Sequence, residues 1–479
     1  MKVKRIFWIF TCFLLISISL CRVPASAVSS TDYIISGGQK VKTPLCYNPY
    51  KVISYLGENV GSFIGATDLF VDNADNIYVT DTNNNRIIKL DSQGNFLKVY
   101  NNSGDLSAPS CVYVTDSGDV FIADSANQRI VHVDENDQLV EVFGKPESSL
   151  LADDFDYTVK KFAISQQGIM YVIHSQYFMM IDTKNEFKGY YASNKVGFRL
   201  NEFLIRTFGN ENQKNNMAYA QADTYNSFEI GEDGFIYAVA NKTDSPICVL
   251  NSDGINLFKA EENPIKVMED KSTTLFDPQL IDICVDRDGT IYVLEKHGCY
   301  VYVYDKEGNM LSMFGGIGSI KGKFVNPVAV DTNSKGETFV LDAANGTIHC
   351  FQTTNYMEKI REAHKFFNDG KYAESFDKWN EVLKINVNCS LANSGIGKIL
   401  YKQQNYKEAM AYFKKANDKV NYAKAFSKYR HSIFRNYFGF VVLGVAVLIF
   451  AVIFTVIKLK GMANKTVEEY YVGRMKKRL

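Results

Sequence analysis

Neither sign of charge is in surplus in this chain of 479 residues: 53 Lys and Arg face 53 Asp and Glu, and the formal net charge is zero. That balance removes the electrostatic reason to expect nucleic acid as a partner. Tryptophan is scarce, with 2 residues, although Tyr (29) and Phe (33) abound, a mix that favours strands. Cysteine is sparse too. With Cys12 and Cys21 assigned to a leader, Cys46, Cys111, Cys248, Cys284, Cys299, Cys350 and Cys389 remain. They form no CxxC, are odd in number, and several sit in apolar strand patterns (PICVL, IDICVD), so buried free thiols are expected and a disulfide framework is not. His132, His174, His297, His349, His364 and His431 fall in no HxxH, HxH or HExxH spacing. No GxSxG, P-loop or dinucleotide fingerprint occurs either. No catalytic motif, cofactor or metal set is therefore read, and the chain is expected not to be an enzyme.

The length suits two or three domains. Residues 1–27 have the parts of a secretory signal: Lys2, Lys4 and Arg5, an apolar run from Ile6 to Leu20, and Ala25-Ser26-Ala27 before a cut. The alternative is an uncleaved anchor, for which the run is short. The second apolar run, Phe438 to Ile457, carries no charge and no polar face, and its ~20 residues match the length needed to cross a bilayer. A basic tail at 458–479 follows. Basic residues flank the span on both sides, so the leader sets the orientation. The expected topology is single-pass in the cell membrane, with residues up to Arg435 outside and the tail in the cytoplasm.

One unit recurs between residues 50 and 355. It is a short β-rich run, a turn with Gly or Asn, a strand with an aromatic, a polar turn and two further strands. The aromatic falls at Tyr78, Phe121, Tyr171, Tyr237, Tyr292 and Phe339. Four strands repeated six times are what an all-β six-bladed propeller requires, because no single twisted sheet can bury both faces alone. The sixth unit shows only three strands. The stray YKVISYLG, residues 50–57, is expected to supply the fourth and close the ring, hiding two sheet edges.

The phrases YVTDTNNNRI (Tyr78 to Ile87), FIADSANQRI (Phe121 to Ile130) and GKFVNPVAVD (Gly322 to Asp331) resemble NHL repeats. The likeness is strong in units one, two and six and weak in three to five, where Asp-x-x-Asn-x-Arg is lost. Residues 356–430 change period: Tyr372 and Tyr406, Glu374 and Glu408, Trp379 and Phe413 are each 34 apart, which resembles tetratricopeptide repeats, with the aromatics expected as core. This small all-α segment would lean on the propeller or on a membrane-complex partner.

Aligned positions after the second strand are Asp81, Asp124, His174, Ala240, Glu295 and Asp342. Carboxylates with a histidine invite a metal reading. Residues spread round a ring on second strands, ~5 Å out from the innermost, cannot all reach one ion. Each Asp is instead expected to accept backbone hydrogen bonds in its own turn, with Asn84, Asn127 and Asn345 taking left-handed backbone. The long stretch between the third unit's last strand and Ser227 lies on the same face as these turns. Its Phe198, Arg199, Asn201, Arg206 and Tyr219 join Arg86, Arg129 and His174 as candidate ligand-binding residues. The expected function is a membrane-anchored extracellular binding or scaffold protein. Its propeller face would hold a glycan, peptide or protein ligand, as an accessory to a transport or envelope complex. The alternative, implied by likeness to gluconolactonase-like propellers, is a metal-dependent lactonase or lyase with acidic, Asn or His groups in the channel.

Overall fold

Alternating apolar runs punctuated by Gly, Asn and Asp turns dictate short antiparallel strands. The computed structural model describes residues 31–36, 39–148, 151, 155–174, 177–192, 224–241, 245–258 and 279–476. The expected leader and the candidates Phe198, Arg199, Asn201, Arg206 and Tyr219 lie outside the described residues. The chain divides into two compact units, Met1–Glu362 and Ala363–Leu479.

The first unit is a six-bladed propeller. Before the repeats come β1 (Thr31–Ser36), β2 (Gln39–Pro44) and β3 (Tyr47–Ile53). Blade 1 holds β4 (Asp68–Val71), β5 (Ile77–Asp81), β6 (Arg86–Leu90) and β7 (Phe96–Tyr100). Blade 2 holds β8 (Cys111–Val114), β9 (Val120–Asp124), β10 (Arg129–Val133) and β11 (Leu139–Phe143). In blade 3 are β12 (Phe162–Ile164), β13 (Met170–His174), β14 (Tyr177–Ile181) and β15 (Phe187–Tyr191). Blade 4 shows three strands among the described residues, β16 (Tyr225–Ile230), β17 (Ile236–Ala240) and β18 (Ile247–Leu250). Blade 5 is β19 (Leu280–Val285), β20 (Ile291–Glu295), β21 (Tyr300–Tyr304) and β22 (Met310–Gly315). Blade 6 is β23 (Pro327–Thr332), β24 (Thr338–Asp342) and β25 (Thr347–Thr353).

The N-terminal segment closes the ring as expected, with a shifted boundary. The closing strand is β3, at 47–53 and not 50–57, and it pairs β25 from Tyr47↔Thr353 to Ile53↔Ile348. Asp32 explains the earlier start: its Oδ2 accepts the backbone N–H groups of Cys46 (2.7 Å) and Tyr47 (3.0 Å), fixing the chain where the strand begins. Gly57 and Gly61, both at positive φ, lie in the loop that follows. The hairpin β1–β2 has no counterpart in the repeat. It joins the outer edge of blade 5, where Tyr33 pairs Met313, so that sheet has six strands.

The core lies in the seams between blades. On β5, Ile77 and Val79 pack toward blade 6 while Tyr78 packs toward blade 2, so every residue of this strand is buried. Two-sided burial of this kind is why second strands read as continuous apolar runs. At the seam of blades 5 and 6, Tyr47 stacks on Phe314 (4.4 Å between centroids), which meets Phe351 (4.8 Å). Gly315 ends β22 at φ +90°, and a Cβ there would stand 2.7 Å from Phe324 and 2.8 Å from the Cys299 carbonyl oxygen. All seven described cysteines are free and buried.

Five helices follow: α1 (Asn355–Asn368), α2 (Tyr372–Ile385), α3 (Ser390–Lys402), α4 (Tyr406–Ala416) and α5 (Lys419–Lys476). In the second unit α3 packs on α2 and α4, and α4 on α5. Trp379 and Phe413, the aromatics spaced by 34, are each 1% exposed and sit against Gly395 and Gly397 of α3. Tyr372 and Tyr406 are half-buried. Helix α5 is long and apolar enough to cross a membrane, and its span residues are exposed.

Candidate functional site

Two sets of carboxylates occupy the propeller, and they do different work. The outer set ends the second strands. Asp124 Oδ1 accepts the Ser107 N–H (2.7 Å), while its Oδ2 accepts Asn127 Nδ2 (2.8 Å) and Arg129 Nε (2.7 Å). Asp81 does the same with Ile64 N–H, Asn84 and Arg86. Asp342 takes Val325 and Asn326 N–H and Asn345. Glu295 takes Gln279, His297 and Gly298 N–H. Each acid thus clamps the connection entering a blade to that blade's own turn. The expected structural role holds, with one correction. The left-handed residues are Asn85, Gln128 and Gly346 (φ 52°, 52° and 57°), one position beyond Asn84, Asn127 and Asn345. Those three asparagines point back to donate to the acid.

The candidates Arg86 and Arg129 are engaged in these clamps. Arg86 also donates to the Val60 carbonyl, and Arg129 reaches Asp105 Oδ2 at 2.6 Å. His174 ends β13 between the rings of Phe155 (4.5 Å) and Tyr177 (5.3 Å), and its Nδ1 meets no partner among the described residues.

The inner set was not singled out from the sequence. On the innermost strands or at their start, two positions per blade form rows around the inside of the ring, most of them facing the following blade. The first row is Asp68, Cys111, Lys161, Ser227, Asp282 and Ala329. Two residues on, each opposite the repeated aromatic, stands the second row: Phe70, Tyr113, Ala163, Glu229, Cys284 and Asp331. The acids of these rows reach over the next blade and accept an N–H from its innermost strand. Asp68 Oδ2 takes Val112 N–H (3.3 Å), Glu229 Oε2 takes Val285 (2.9 Å), Asp282 Oδ2 takes Val330 (2.7 Å) and Asp331 Oδ2 takes Val71 (2.7 Å). An innermost strand has a naked edge, and an unpaired N–H there is costly. The carboxylates supply the missing acceptors.

Charge is uneven between the rows. In the first, Lys161 Nζ lies 2.5 Å from Asp68 Oδ1, and Ser227 Oγ donates to Asp282 Oδ1 at 2.6 Å. Burial works against the Lys161 charge, yet Asp68 and Asp282 hold its pKa above the ordinary lysine range. In the second row, burial and the facing Asp331 push Glu229 well above the carboxylate range, and burial likewise raises Asp331. Burial, with the carboxylates around it, raises the Cys284 thiol.

The two mouths of the ring differ. At the inner-turn mouth, between first and second strands, polar groups bind one another across blades. Asn73 donates to Asp116 and accepts from Arg287 (3.2 Å), Arg287 approaches Glu232 (3.6 Å), and Ser334 Oγ donates to Asp75 (2.8 Å). Arg361 of α1 bonds Asp286 Oδ2 at 2.6 Å on the same side. The other mouth carries the second-strand turns and the connections entering each blade.

The NHL repeat family matches residues 106–133. Among solved structures, a Staphylococcus aureus virginiamycin B lyase is 12% identical, with TM-score 0.37, 64% of this chain covered and 89% of that chain. A Xanthomonas campestris gluconolactonase is 10% identical (TM-score 0.40; 68% and 96% covered). A Bacteroides thetaiotaomicron protein of unknown function is 14% identical (TM-score 0.43; 67% and 81% covered). No curated protein matches this chain.

Proposed function

We propose that this chain is a binding protein held at a membrane by α5, and that its propeller receives a protein or peptide ligand at the mouth formed by the entering connections. The asymmetry of the two mouths carries this reading. Where the inner turns are tied by polar contacts, the opposite face exposes Tyr55 (59%), Ile64 (54%), Ile317 (65%), Ile320 (43%) and Val325 (48%). These five lie in the two connections that flank blade 6, and the Gly346 turn between them approaches Phe63. Exposed apolar side chains in the connections entering one face mark a surface for a partner that brings apolar area of its own.

A photo-crosslinking residue at position 317 or 320 of the full-length protein in its native membrane is expected to yield one discrete adduct. The same residue at position 75, on the polar mouth, is expected to yield none. Equal adducts from both mouths, or none from 317 and 320, would refute the assignment.

A further inference from the structure

We propose that Glu229, Cys284 and Asp331, on the innermost strands of blades 4, 5 and 6, form a binding site for a thiophilic divalent cation such as Zn²⁺. One carboxylate oxygen from each acid and the Cys284 sulfur all lie within 4.8 Å of one another. A tetrahedral centre with bonds of about 2.0 Å to oxygen and 2.3 Å to sulfur places its donors roughly 3.5 Å apart. Side-chain rotation on the order of 1 Å therefore completes a three-donor shell and leaves a fourth position for water.

Two independent observations point the same way. First, Cys284 is 2% exposed and makes no hydrogen bond among the described residues, although its sulfur is held between two acids. A buried free thiol normally packs among apolar groups; this one faces carboxylates that repel its ionised form. Second, the acids are already oriented. Val285 N–H holds Glu229, while Val71 and Thr332 N–H (2.7 Å each) hold Asp331, as the outer partners of metal ligands do. Each oxygen that accepts one N–H keeps a second lone pair.

Electrostatics supplies the driving force. Lys161 is drawn to Asp68 in the first row, and this one cation also faces Asp282, Glu229 and Asp331. Two acids and a thiol in the second row still need protons or a cation to be neutral. A cation would displace those protons, Cys284 losing its own to solvent. The sulfur sets selectivity, since thiolate favours Zn²⁺ over Mg²⁺ or Ca²⁺. The other three blades place Phe70, Tyr113 and Ala163 at the same level, so donors occupy only one half of the ring.

The test uses full-length protein in detergent, stripped of metal and titrated with Co²⁺ and then Zn²⁺. One Co²⁺ per chain is expected, with a thiolate-to-cobalt charge-transfer band that Zn²⁺ abolishes. Cys284→Ser should remove the band, and Asp331→Asn, which keeps an acceptor for Val71, should weaken binding by ~10-fold or more. Zn²⁺ should raise the melting temperature of the wild type and not of Cys284→Ser. Circular dichroism of both variants before titration separates misfolding from loss of a ligand. The proposal is overturned if the folded wild-type chain binds no Co²⁺, if the band survives Cys284→Ser, or if Zn²⁺ stabilises both variants as much as wild type.

Discussion

The outer acids and the inner acids are chemically alike and behave as opposites. Asp81, Asp124 and Asp342 recur at one place in the repeat, and each is satisfied by the backbone and an Asn amide of its own blade and entering connection, with an Arg added at Asp81 and Asp124. Asp68, Glu229, Asp282 and Asp331 follow no such pattern: no two blades carry the same pair of residues at those two positions, although Asp68 and Asp282 share one of them. They bond to the next blade, and in the second row they face one another without a full set of countercharges. What repeats in a repeat protein maintains the unit. What departs from the repeat at an equivalent position is where the ring acquires a particular chemistry.

Breaking an outer clamp should have the largest effect. Asp124→Ala removes a buried acid and leaves the Ser107 N–H, Asn127 and Arg129 without their acceptor. The loss should be about 3 kcal/mol or more, read as a lower midpoint in urea unfolding. An inner acid should show itself through pH. Asp331 has a folded pKa raised above its ordinary 3.8, so it binds its proton more tightly when folded. Its contribution is fully present below about pH 4 and is lost as pH rises toward neutrality. Metal-free protein should therefore melt at a lower temperature at pH 7.5 than at pH 5, and Asp331→Asn should flatten that slope; an unchanged slope would assign it to other groups, Asp32 among them. The smallest effect belongs to Asn84→Ala, which deletes one half-exposed donor to Asp81 and should cost about 1 kcal/mol or less.

Much of the fold was legible because it repeats. Six aromatics at regular positions set the second strands, and the 34-residue spacing found Trp379 and Phe413, the two aromatics that face glycines of α3. The β1–β2 hairpin was not legible, since TDYIIS and QKVKTP lie outside any repeat and their partner edge is defined only in the closed ring. The inner acids were hidden for a related reason. An innermost strand reads as an apolar run with an occasional Asp, Glu, Lys or Cys, and nothing local says that six such strands meet on one axis. A signal was available all the same: the residues directly opposite the repeated aromatic are Phe, Tyr, Ala, Glu, Cys and Asp, a variable column beside one that is always Tyr or Phe. Residues on second strands stand too far apart to share one ion, whereas Glu229, Cys284 and Asp331 of the innermost column lie within reach of one another.

Residues 31–53 are among the first described residues to leave the ribosome, yet their partners β22 and β25 are among the last strands of the propeller to be made. While synthesis is under way, β1, β2 and β3 have no sheet to join, and blades 5 and 6 later emerge with bare outer edges waiting for them. The ring is therefore finished from both ends of the unit at once, in a late and slow step that leaves partly built chains prone to pairing with each other. Moving residues 31–53 to follow Thr353 would turn that encounter into a local one, and the rearranged chain should assemble faster with its finished ring unchanged.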